Sequence, residues 1–236
     1  MYKTFRDLAA RGTEQMTISG TVNKTFLLLL CCLFSASFTW FRVYETGTIS
    51  PVWMYGATFG ALGAAIWIAF DPTKAPALSL LYALLEGLAL GAVSAFFEMR
   101  FPGIVLQAVA LTFGTLFCLL AAYRTGAIRP TENFKLGVAA ATGAVAVFYL
   151  VSFGLSFFGI SVPMIHDSGL VGILFSCAVV GIAALNLVLD FDFIEQGALH
   201  GAPKYMEWYG AFGLMVTLVW LYLEILRLLA KARSRD

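Results

Sequence analysis

The chain has 236 residues, 60% of them hydrophobic and only 12% charged, with a net charge of +1 and a mean hydropathy of +0.85. Soluble globular domains run about 45–50% apolar and about 25% charged, so an ordinary soluble domain is excluded. The near-neutral balance also argues against a nucleic acid or an acidic soluble protein as partner.

The hydrophobicity comes in continuous blocks of roughly 20 residues, the length a helix needs to cross about 30 Å of hydrocarbon. Continuous rather than alternating blocks exclude a transmembrane barrel. The expected fold is therefore all-α, a polytopic membrane protein, with the lipid bilayer as its solvent. A polar tail over residues 1–24 carries Lys3, Arg6, Arg11 and Lys24. The first span is expected at Thr25–Phe41 and ends in a Trp/Phe/Tyr cluster suited to the interface. A second follows at Pro51–Phe70, where Gly56, Gly60 and Gly63 offer small-residue spacing for close helix approach. Asp71–Pro76 reads as a tight turn, and the third span, Ala77–Phe97, contains Glu86, Gly87 and Gly91. After a turn at Glu98–Gly103 come spans at Ile104–Tyr123 and Leu136–Phe158, separated by a basic loop, Arg124–Lys135. The sixth span, Ser168–Asp190, is followed by the acids Asp192 and Glu195, and its helix has reason to run through them. Acids at a helix C-terminus oppose the macrodipole, and a longer helix removes that objection. The seventh span is expected at Trp208–Ala230, closing a membrane domain at 25–230, with a basic tail over 231–236.

Seven spans put the termini on opposite faces. Lys3, Arg6, Arg11, Lys24, Lys74, Arg124, Arg129, Lys135 and Lys204 then share the N-terminal face, against Arg42, Arg100, Arg227, Lys231, Arg233 and Arg235. That bias favours a cytoplasmic N-terminus. The basic C-terminal tail pulls the other way, and if it prevails one segment is re-entrant. Cys31, Cys32, Cys118 and Cys177 all fall within apolar blocks, where they are expected to act as small buried hydrophobes.

Charge within a span is costly and marks function by default. Glu86 lies about 15 Å from the nearer edge of its span. The blander alternative is a protonated glutamic acid hydrogen-bonded between helices. Asp190 and Asp192 follow as candidates at the end of the sixth span, with Asn186 one turn before Asp190 on the same face. Glu224 lies near the end of the last span, three residues before Arg227, which would also suit a simple helix anchor. His166 and His200 lack neighbours at metal-ligand spacing. No Schiff-base lysine lies inside the last span, and GxGD, GxSG, HExxH and nucleotide-binding motifs are missing. Catalysis is therefore not expected.

LDFDFIEQ (Leu189–Gln196), LYLEILRLL (Leu221–Leu229) and YALLEGLALG (Tyr82–Gly91), in their joint order, resemble the transmembrane Bax inhibitor motif family, including its bacterial members. The resemblance covers about residues 25–230. It implies seven helices with the last one central, a bacterial inner-membrane location, and a pH-sensitive calcium leak gated through carboxylates of helices six and seven. No cofactor is implied, and calcium is the permeant ion. Two close carboxylates cannot both ionise cheaply, which gives such a pair its pH response. Hard oxygen ligands suit calcium. Glu224 stands where the family usually has Asp. Counted along the helices, Glu224 lies about 26 Å from the sixth–seventh loop and Asp190 only about 9 Å. Glu86, about 15 Å deep, is nearer Asp190's level. The expected ion path is thus staged, with Glu86 and Asp190 as transient calcium ligands, and Glu224 latched by Arg227 or Arg100. Competing readings are a non-conducting regulator that binds a membrane protease or another membrane complex, and a proton-coupled transporter of a small solute. Oligomeric state is left open.

Overall fold

The computed structural model describes residues 14–48, 52–156, 158–159 and 169–234. Lys3, Arg6, Arg11, His166 and Arg235 lie outside them. Among the described residues seven α-helices follow one another and no strand occurs. They are α1 (Ile18–Thr46), α2 (Ala57–Phe70), α3 (Ala75–Arg100), α4 (Ile104–Arg124), α5 (Glu132–Ser156), α6 (Leu170–Leu199) and α7 (Met206–Arg233). All but α2 are long and apolar enough to cross a membrane. α2 is preceded by a π-helical turn, Val52–Gly56.

Local chemistry sets the ends. Thr17 caps α1 by accepting from the Gly20 amide at 3.0 Å, and Gly47 ends it in the left-handed region at φ 64°. The span starts earlier than its apolar block because this cap, not hydropathy, nucleates the helix. Asp71 caps a 3-10 turn, Pro72–Lys74, that runs directly into α3. α3 absorbs Glu98 and Arg100, so the expected turn shrinks to Phe101–Gly103, with Gly103 at φ 79°. α5 likewise takes in Glu132 and Lys135 from the expected basic loop. α6 is unbroken through Asp190, Asp192 and Glu195. α7 has Glu207 in its first turn and Lys231 and Arg233 in its last, each sign matching the macrodipole.

The chain divides into two compact units, residues 1–100 with 192–216, and residues 101–191 with 217–236. In the first, Leu28, Ile68, Ala83, Ala95 and Met215 are fully or almost fully buried. α1 and α3 approach so closely that a Cβ at Gly87 would overlap the Cys32 carbonyl and the Ser35 hydroxyl. One at Gly91 would overlap the Ala36 carbonyl and the Thr39 hydroxyl. This is the small-xxx-small crossing. α2 does not make it, because a Cβ at Gly56 or Gly63 meets nothing within 4 Å, and one at Gly60 meets only Leu85. In the second unit, Ile104, Ala108, Leu187, Val188, Leu221 and Leu226 are buried.

Large apolar side chains also point outward along the long helices, including Phe34 at 77%, Leu106 at 75% and Leu150 at 70% exposed. Water would penalise such a surface and lipid does not. These helices make the chain an integral membrane protein. Of the cysteines only Cys32 is buried; Cys118 and Cys177 are exposed on that apolar surface, because their helices turn other faces inward.

Candidate functional site

Asp190 and Glu224 both belong to the second unit, at different levels. Asp190 shares a side-chain hydrogen bond with Thr217 of α7. Its Oδ2 is buried and has no hydrogen-bond partner. One turn back on α6, the Asn186 amide donates to the Thr142 hydroxyl of α5 at 2.7 Å and to the Ile182 carbonyl at 2.8 Å. Polar groups of α5, α6 and α7 thus gather around one stretch of α6.

Glu224 lies two turns beyond Thr217, about 10 Å along α7. It is 2% exposed, and its Oε1 accepts from Arg227 at 2.9 Å and from the Tyr149 hydroxyl of α5 at 3.0 Å. Arg227 also donates to that hydroxyl at 3.2 Å and stands 5.5 Å from the Tyr149 ring centroid. The result is a closed triangle of charge, ring and hydroxyl. The two acids share no hydrogen bond with each other.

The end of α7 carries two further cations engaged with neighbouring groups. Lys231 is buried and donates to the Gly172 carbonyl at 3.1 Å and the Ser176 hydroxyl at 2.9 Å. Arg233 donates to the Pro102 carbonyl at 2.8 Å and Gln107 at 3.0 Å. Residues 231–233 are therefore the last turn of a packed helix and not a free basic tail.

In the first unit, Glu86 is half-buried on α3, within electrostatic range of Tyr82 and Cys32. Asp192 and Glu195 are half-buried on the last turns of α6, and each is engaged with a partner. Arg100, also engaged, ends α3 in this unit; Glu224's partners in its own unit are Arg227 and Tyr149. His200 is exposed, its ring nitrogen on the Gln196 carbonyl.

Among the described residues another carboxylate is the least exposed. Glu207 is 0% exposed. It accepts from the Thr17 amide at 2.9 Å, the Thr17 hydroxyl at 2.8 Å and Lys204 at 3.2 Å, and it is paired with Lys24. Nearby in the α6–α7 loop, burial and then the Asp71 carboxylate hold the Tyr205 hydroxyl above its ordinary pKa, so it stays neutral. Sequence reasoning passed over Glu207 because it sits at the edge of an apolar block. The one local signal is its i,i+3 spacing from Lys204. Tyr149 had no signal at all, since a tyrosine in a span reads as apolar filling.

A family model described as Bax inhibitor 1 like matches residues 2–234, essentially the whole chain. The chain belongs to the Bax inhibitor 1-like family. Comparison with curated proteins and with solved structures gave no match. Membership makes this a Bax inhibitor-like membrane protein.

Proposed function

We propose that the protein is a pH-sensitive calcium leak channel of the bacterial inner membrane, with Asp190 as the group that ions and protons contest. The observation that carries this reading is the buried, unpartnered Oδ2 of Asp190 inside a helix of membrane length. A carboxylate oxygen in that position costs several kcal/mol unless a proton, a water or a cation satisfies it. Thr217 holds the other side of the group, so the free oxygen stays oriented to receive one. Calcium, a hard cation, takes such oxygen ligands. The half-buried Glu86 is a second candidate carboxylate, in the other unit, and Glu224, locked by Arg227 and Tyr149, is a latch that holds α7 against α5.

A parity argument supports seven crossings. The Met16 amide donates to the Ala202 carbonyl at 2.7 Å, and the Lys204 amide donates to the Glu14 carbonyl at 3.1 Å, so these segments share one face. Between them lie the long helices α1, α3, α4, α5 and α6, an odd set. The shorter α2 has to cross as well for the segments to meet. Its 14 residues span about 21 Å. The preceding π turn and local thinning of the bilayer make up the difference. The C-terminus then lies opposite a cytoplasmic N-terminus. The internal bonds of Lys231 and Arg233 support this, because they occupy the cations that would otherwise hold the tail in the cytoplasm.

Calcium flux into proteoliposomes tests the leak, with Asp190→Asn, Glu86→Gln and Glu224→Gln beside the wild type. Unchanged flux and pH response in all three would favour the regulator of a membrane protease or other complex instead.

A further inference from the structure

We propose that residues Glu14–Thr17 form a strap that clamps the α6–α7 hairpin, and that release of this strap is a gate of the leak. The inference rests on the leak reading above.

The strap is held in three ways. Its backbone pairs with the hairpin loop through the Met16–Ala202 and Lys204–Glu14 hydrogen bonds that flank an isolated antiparallel bridge, Gln15–Pro203. The Met16 side chain, 2% exposed, fills a slot where a Cβ at Gly197 would meet its sulfur at 2.8 Å and one at Gly210 would meet its terminal carbon at 3.5 Å. Glycines near the end of α6 and the start of α7 are thus shaped around a side chain of the strap. Finally, Thr17 gives both its amide and its hydroxyl to Glu207. A Cβ at Gly20 would fall on the Glu207 carboxylate, so the start of α1 is cut to admit that acid.

These contacts are mutually dependent. Glu207 is fully enclosed, and its charge is tolerated only while Thr17, Lys24 and Lys204 are all in place. Withdrawing the strap removes two donors at once and empties the Met16 slot, so the arrangement favours a closed or an open state over intermediates. What it clamps matters for the ion path. α6 and α7 run without a break from this loop past Asp190 and Thr217, whose hydrogen bond links the two helices. A strap that fixes the ends of both helices fixes the register of that bond.

The bridge offers a lock. Gln15 and Pro203 are a non-hydrogen-bonded antiparallel pair, whose Cα atoms lie about 4.5 Å apart, within the range a disulfide spans. In full-length Gln15→Cys/Pro203→Cys protein in calcium-loaded vesicles, oxidation should form the cross-link and lower the leak by roughly tenfold, the effect of about 1.4 kcal/mol. Reductant should restore it. Glu207→Gln and Thr17→Val, which loosen the strap without the cross-link, should raise the leak. Failure of the cross-link to form, or a locked protein that leaks as fast as the reduced one, overturns the proposal. Asp190→Asn in the same vesicles separates the two readings. If it alters flux while the lock does not, the strap is only an anchor and the leak stands. If neither alters flux, the leak reading itself fails.

Discussion

The triangle of Tyr149, Glu224 and Arg227 places a buried carboxylate under joint control of a guanidinium on its own helix and a hydroxyl on another. Tyr149→Phe keeps the ring beneath Arg227 but removes the hydroxyl. It should cost about 1.5–3 kcal/mol, the range for a hydrogen bond to a charged group. Arg227→Met should cost about 2 kcal/mol, less than the roughly 3–5 kcal/mol of a fully buried pair, since the guanidinium side chain is 40% exposed. Adding Glu224→Gln to Arg227→Met should recover part of that loss, because the stranded charge is then gone. Thermal unfolding in detergent reads all three, and a double variant weaker than Arg227→Met would contradict the pairing. At this scale the sequence was partly legible. Glu224 and Arg227 announce themselves as charges at helical spacing within an apolar block. Tyr149, Thr217 and Thr142 do not, because hydroxyls are common in membrane helices and only packing shows which of them meets a carboxylate.

Among the elements, α3 is fixed to α1 by Gly87 and Gly91, which lie against backbone carbonyls of the other helix. Gly→Ala in an exposed helix gains about 1 kcal/mol of propensity. Gly63→Ala, with nothing within 4 Å, should therefore be neutral or stabilising. Gly87→Ala and Gly91→Ala should lower the unfolding temperature instead, since backbone cannot move aside as a flexible side chain would. Equal effects at all three positions would contradict the crossing. The glycine pattern of α2 in the sequence is as suggestive as that of α3. Periodicity shows which residues are small but not which helix stands opposite, so only the structure separates the two. Helix ends were blurred for a related reason. The Thr17 cap extends α1 past its apolar block, whereas the run of α6 through Asp190–Glu195 is the one the macrodipole argument expects.

For the whole molecule, the bond between the strap and the α6–α7 loop makes topology a parity problem. Residues near Gln15 and near Lys204 should label from the cytoplasmic face and residues near Arg233 from the other. Cysteine scanning with an impermeant reagent in intact cells and inverted vesicles checks this, and labelling of both termini from one side would remove α2 from the set of crossings. The leak itself is tested most directly by calcium flux into proteoliposomes holding wild type or Asp190→Asn across a range of pH. Asparagine keeps the bond to Thr217 but carries neither charge nor a titrating proton at the position of the unpartnered oxygen. Flux should fall on the order of tenfold, corresponding to about 1.4 kcal/mol of lost ion stabilisation, and its pH dependence should flatten. An Asp190→Asn protein that conducts calcium at the wild-type rate with the wild-type pH profile would contradict the central role of Asp190.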